Sequence, residues 1–228
     1  MIVSKTKKVI MKKQAENYRH FRKGVYVISS IIALLAVIQL LLLVFKHFTF
    51  QFLERTNFSD SIATMFGMII LTGIFIVFAK KQKVSMSVFP HIFNKYYIIG
   101  TWIAVILLIV TPSNYFDGFQ AIILLLYGSV ITPIFEELIF RGYVWNKLNA
   151  VIKKEWGTYL ITTVLFGLWH LGTYENIAFR VETGHAKIML MKVIVGLVYG
   201  VVLGALRLKT KNSYSTILLH GVMNIFGR

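Results

Sequence analysis

The chain has 228 residues, 57% of them hydrophobic, and a mean hydropathy of +0.69, which is too apolar for a soluble domain of this length. Its net charge of +16 would suit a nucleic-acid binder, but the cations sit in short segments between apolar spans, where orientation signals belong, and nucleic acid is set aside as a partner. With no cysteine, disulfides and thiolate metal sites are excluded.

Residues 1–23 form a basic tail with Lys5, Lys7, Lys8, Lys12, Lys13, Arg19, Arg22 and Lys23, suited to an anionic cytoplasmic leaflet. A first span is expected at 24–45, with Gln39 its only strongly polar residue. No small-residue cleavage site follows it, so it reads as an anchor rather than a removed signal peptide. A loop with Glu54, Arg55 and Asp60 leads to a second span at 61–79, stopped by Lys80, Lys81 and Lys83. The third span, 96–110, is closed by Thr111-Pro112-Ser113-Asn114. The fourth runs from Phe119 to about Leu148, and its ~45 Å at 1.5 Å per residue carries its end out of the hydrocarbon. A fifth span at 156–171 is followed by a polar connection, 172–187, with Glu175, Arg180, Glu182 and His185. The sixth, 188–206, carries Lys192 near its start, where it can snorkel outward, and ends at Arg207, Lys209 and Lys211. The seventh is 213–226. The expected fold class is therefore all-α, a polytopic transmembrane helix bundle of about seven spans. The chain divides into the 1–23 tail, three N-terminal helices within 24–118, and a C-terminal core at 119–228.

Charge placement agrees with this count. With the N-terminus in the cytoplasm, 18 lysines and arginines fall on inside segments and 5 on outside ones, while Arg141 and Lys192 lie within spans. That asymmetry places the chain in the cell membrane with its N-terminus cytoplasmic.

The set expected to be buried within the apolar spans has six polar side chains. Of nine carboxylates only Glu136 and Glu137 belong to it, and of six histidines only His170 and His220; Arg141 and Asn224 complete the set. An ionised group in hydrocarbon costs roughly 2.5–3.5 kcal/mol even on the mild insertion scale. Glu137 and Arg141 are four residues apart and share a helical stripe, so they can neutralise each other. Glu136 points about 100° away and lacks such a partner. Taken singly, a Glu–Arg pair is as often a helix-docking device, and a lone histidine is more often a satisfied packing residue. The aromatics Phe166, Trp169, Tyr143 and Trp145 read most simply as core or interface residues. Counted along each span, Glu137 and His170 lie roughly 16–21 Å above the cytoplasmic end, and His220 and Asn224 roughly 10–17 Å. A common layer opening toward the cytoplasm is the expectation.

Such a group suits hydrolysis of an acyl or amide bond. A carboxylate beside a neutral imidazole can deprotonate water, and a second imidazole with an amide can donate to an oxyanion. Glu136, His170 and His220 could equally hold a divalent metal such as zinc. His-Glu-x-x-His, Gly-x-Ser-x-Gly and the phosphate-loop pattern are all missing, and no aspartate lies within a span.

Glu136-Glu137-x-x-x-Arg141, Phe166-x-x-x-His170 and His220-x-x-x-Asn224, in that order and on separate spans, resemble the three motifs of the CPBP family of intramembrane proteases. That family includes type II CAAX-processing prenyl proteases and bacterial bacteriocin-processing or immunity proteins. The resemblance covers about half the chain, from Gln120 to Phe226. It implies a helical metalloprotease-type membrane enzyme that cleaves peptide bonds from a cavity open to the cytoplasm. Glu136 with His170 would activate water, His220 and Asn224 would hold the oxyanion, and Glu137, Arg141 and Phe166 would support them. The implied partners are the bilayer and a membrane-associated peptide substrate. Every polar motif residue is present, which speaks against a degenerate member. A non-catalytic scaffold or bacteriocin immunity protein stays open as the alternative. A proton-coupled transporter lacks the paired, interrupted helices expected of it.

Overall fold

The computed structural model describes residues 2–111 and 118–227. The expected stop at Pro112, Ser113 and Asn114 lies outside the described residues, as do Met1, Arg228 and most side chains of the basic tail. The elements are α1 (Ile2–Thr49), α2 (Asn57–Lys81), α3 (Lys95–Val110), α4 (Phe119–Ile152), α5 (Glu155–Trp169), the short α6 (Tyr174–Arg180), α7 (His185–Thr210) and α8 (Ser213–Phe226). The fold is all-α, with no strand among the described residues.

Four stretches are long and apolar enough to cross a membrane: Phe21–Thr49 of α1, then α2, α4 and α7. Helices α3, α5 and α8 have 16, 15 and 14 residues. At 1.5 Å per residue each reaches only ~21–24 Å, less than the ~30 Å hydrocarbon layer. α5 packs along α7, α8 lies against α4 and α7, and α3 packs on the outer side of the bundle against α8. Large apolar side chains such as Leu40, Ile70, Trp102 and Val198 are exposed on its outer faces, as acyl chains require. The chain is a polytopic membrane protein. α1 passes Gly24 without a break, so the basic tail continues the first transmembrane helix.

Hydrogen bonds fix which connections meet at each end of the bundle. Asn212 caps α8 by accepting from Ser215 N, and the next N–H groups of that helix, Ser213 and Tyr214, donate to Ser87 and Val88 carbonyls at 2.9 and 2.8 Å. Asn146 of α4 donates to Ser85 O at 2.7 Å. Loop 82–94 and the α7–α8 turn therefore lie together, beside the α4–α5 turn. At the other end, buried Lys46 on α1 pairs with Asp60 on α2 and Glu175 on α6, each at 2.8 Å. Arg55 and Arg180 also reach Asp60, at 2.8 and 2.9 Å. The polar connection expected at 172–187 is thus built structure: a 3₁₀ turn at His170–Thr173, then α6, then a turn at Gly184 with φ 78°.

The most extensive helix–helix contact among the described residues is that of α5 with α7. A Cβ on Gly200 would lie 3.0–3.2 Å from Thr163, two of the three contacts being to its backbone. Small residues at such a seam allow the van der Waals approach that holds helices together in lipid. We expect Gly200→Val to cost about 1–3 kcal/mol through overpacking, read as a lower Tm in detergent micelles; an unchanged Tm would contradict this seam.

Burial alone would raise the Glu175 carboxyl, but hydrogen bonds from Arg55 and Lys46 outweigh it and hold the group below its ordinary 4.5. Its contribution to stability is present above pH 4.5 and is lost as pH falls through the depressed value. Stability on acid titration should accordingly fall less steeply in Glu175→Gln than in the native protein, and superimposable slopes would show that the cluster does not act this way.

Candidate active site

α4 is not a regular helix. Two widened π-helical turns, Tyr127–Ile131 and Leu138–Val144, flank the segment Thr132–Glu137. Pro133 has no N–H for the carbonyl four residues back, and its ring crowds that carbonyl, which accounts for the first widening. α8 settles on this turn. Asn224 Nδ2 donates to Gly128 O at 2.7 Å, and a Cβ on Gly221 would come within 2.6 Å of Ser129 O. Only glycine lets the two backbones approach so closely, and that approach carries His220 and Asn224 to the level of the two glutamates.

Glu137 is fully buried, and its Oε1 accepts from Arg141 Nη1 and from His220 Nδ1, both at 2.9 Å. Arg141, also fully buried, lays its guanidinium 4.1 Å from the Phe166 ring centre, while its Nε and Nη2 have no hydrogen-bond partner among the described residues. Phe166 is edge-to-face with both imidazoles, 5.2 Å from His170 and 6.0 Å from His220. The stripe pairing expected for Glu137 and Arg141 is present, and Phe166 is the surface on which the charged and imidazole groups rest.

Glu136 is placed differently. Its Oε1 accepts from Trp169 Nε1 at 3.0 Å, and its Oε2 lies 3.9 Å from His220 Nε2. The indole is a partner that spacing along α4 could not reveal.

The hydrogen bonds also set the imidazole tautomers. A carbonyl can only accept, so His170 Nδ1, 2.9 Å from Phe166 O, carries a proton, and its Nε2 is a lone pair when the ring is neutral. His220 Nδ1 likewise donates to the Glu137 carboxylate, and Nε2 is left facing Glu136. Gly196 makes room for His170, since a Cβ there would lie 2.6 Å from Nδ1.

Glu136, His170, His220 and Asn224 line one cavity of about 740 Å³. Its other walls are Met68 of α2, Tyr127 and Thr132 of α4, and one face of α7 between Lys187 and Tyr199, including Met191, Lys192 and Val195. Glu137, Arg141 and Phe166 do not line it and stand behind. Lys192, expected to snorkel outward, is instead on the wall. Trp169, Gly196 and Gly221 also shape the site; a glycine following His220 was visible in the sequence, but its packing role was not. Thr173, Gly184 and Lys187 line the cavity too, so it reaches the end of the bundle that carries the 170–184 connection. That end is the one the charge count puts outside, so the cytoplasmic opening expected for the layer conflicts with it. Among the described residues no three His, Cys, Asp or Glu side chains converge closely enough to hold a metal, so the Glu136, His170, His220 set does not form a ligand sphere in this arrangement.

A carboxylate- and imidazole-lined chamber within a lipid-facing helical bundle defines a membrane-embedded protein with a polar internal cavity. Residues 118–226 match the family model described as type II CAAX prenyl endopeptidase Rce1-like, and this part of the chain belongs to the CPBP, or CAAX protease, family of intramembrane proteases. Searches of curated proteins and of solved structures find no match. The first three helices lie outside the matched segment.

The two adjacent glutamates should separate experimentally. Glu137→Ala leaves Arg141 buried without its counter-charge and should lose about 3–5 kcal/mol of stability, whereas Glu136→Gln keeps the acceptor for Trp169 and should lose far less. Thermal unfolding in detergent distinguishes them; equal losses would refute the division.

Proposed function

We propose that the chain is an intramembrane endopeptidase that hydrolyses a peptide bond of a membrane-associated peptide. The supporting observation is that Glu136, His170, His220 and Asn224, from three separate helices, line a single cavity. Glu136 Oε2 is free of the indole bond and acts as general base. It takes a proton from a water whose oxygen bonds to the scissile carbonyl carbon. Glu136 Oε2 and His220 Nε2 stand 3.9 Å apart, so an oxygen held by a protonated His220 lies beside the base.

His170 Nε2, with its lone pair fixed by the bond from Nδ1 to Phe166 O, accepts the second hydrogen of the attacking water. The carbonyl oxygen becomes an oxyanion. Asn224 has one amide hydrogen on Gly128 O and a second to donate to the oxyanion. His220 donates from Nε2 only when protonated, with Glu137 and Glu136 on either side offsetting the imidazolium charge. Collapse of the intermediate breaks the C–N bond, and the proton held by Glu136 passes to the leaving amine.

Replacing a general base removes roughly 10²–10⁴-fold in rate. Glu136→Gln should therefore lose at least 100-fold of its cleavage while remaining folded and membrane-inserted, by that same range. The check is a comparison of membrane peptides from cells carrying the native or the substituted chain. Undiminished turnover would defeat the assignment, and a phenotype retained by the inactive variant would point to binding alone.

A further inference from the structure

The two ends of the bundle differ in charge and in access. The end that gathers loop 82–94, the α4–α5 turn and the α7–α8 turn carries Lys80, Lys81, Lys83 and Lys95, Lys147, Lys153 and Lys154, and Arg207, Lys209 and Lys211. The helical basic tail begins at this end, because α1 runs from it toward Gln39, which donates to Trp169 O, and then to Lys46, which meets α6. The opposite end carries Lys46, Arg55, Arg180 and Lys187. Of these, Lys46, Arg55 and Arg180 are tied to Asp60 or Glu175, so little uncompensated positive charge remains there. Cations concentrate on the cytoplasmic side of membrane proteins, so the lysine-rich end is cytoplasmic.

The cavity belongs to the other end. Its wall on α7 runs from Lys187 to Tyr199 and includes Ile188, Met191, Lys192, Val195 and Gly196, stopping short of the helix's last three turns. Thr173 and Gly184, from the connection over that end, complete the rim, and no residue of the lysine-rich turns lines the cavity. α5 also stops at Trp169, so the backbone of the 3₁₀ turn at His170–Thr173 leaves the helix beside the cavity and not at the lysine-rich end.

From these placements we infer that the catalytic cavity opens to the extracytoplasmic face of the membrane. The substrate class, which rests on the proposed peptidase activity, is then an exported or outward-exposed peptide segment. A tail presented from the cytoplasm would meet the lysine-rich turns and not the glutamate. This departs from the cytoplasmic cavity implied by the family resemblance.

The chain contains no cysteine, so single cysteines report their surroundings without background. Lys187→Cys sits on the rim, Met191→Cys on the wall, Glu182→Cys on the exposed turn of the same end, and Lys209→Cys at the lysine-rich end. In intact cells of a bacterial host, a membrane-impermeant charged methanethiosulfonate should modify the first three. Lys209→Cys should react at least 10-fold more slowly until the membrane is permeabilised. The reverse pattern overturns the inference. So does modification of Glu182→Cys with Met191→Cys protected until permeabilisation, because the cavity would then be closed to the outside. Glu182→Cys and Lys187→Cys lie at exposed positions, and either reports the end if the other fails to fold. Labelling needs no turnover, so an inactive protein that labels from outside counts against the peptidase reading alone.

Discussion

The structure depends on one carboxylate oxygen. Glu137 Oε1 receives Arg141 from its own helix and His220 from α8, in a place with no solvent to take over either role. Removing two charges from water costs several kcal/mol per ion, and their attraction offsets this only when the geometry is good. The second contact is the more consequential one. It orients an imidazole, leaves Nε2 toward the cavity, and holds α8 at the level of α4. Phe166 extends the arrangement to α5 by lying under the guanidinium and against both imidazoles. A structural ion pair and a chemical site thus share one oxygen atom.

Irregular backbone supplies the remaining precision. Three short helices and two widened turns in α4 would be defects in a simple bundle. All of these but α3 gather at the cavity: α5 ends beside it, α8 rests on the first π turn, and the second begins directly after Glu137. Backbone groups released at membrane depth must find partners. Gly128 O receives Asn224, and Trp169 O receives Gln39 from α1 at 3.2 Å. The only strongly polar residue of the first span therefore serves the end of a helix 130 positions away.

Much of the site was legible in the sequence because ionisable groups in an apolar run need a reason. Glu136, Glu137, Arg141, His170, His220 and Asn224 stood out against lipid-facing neighbours, and the i,i+4 stripe identified which glutamate Arg141 would neutralise. What could not be read were groups whose roles come from shape. Trp169 looks like any core aromatic until its N–H is seen on Glu136. Gly196 and Gly221 matter through atoms they lack, and the neighbours that need the space, His170 and Ser129, are far away in sequence. Lys192 was legible as a cation near a helix start, but which way that helix face turns is set by its packing on α5.

The sequence by itself determined the class of the fold, the order and rough limits of the helices, and the stock of polar groups held in lipid. These follow from local periodicity and from the free energy of moving side chains out of water, which depend only on near neighbours. The tertiary structure alone decided which of those groups meet, which nitrogen of each imidazole keeps its proton, and at which end of the bundle the cavity lies. Those outcomes rest on close approach between helices distant in the chain, where a missing Cβ or a widened turn shifts a neighbour by ångströms and no local pattern records it.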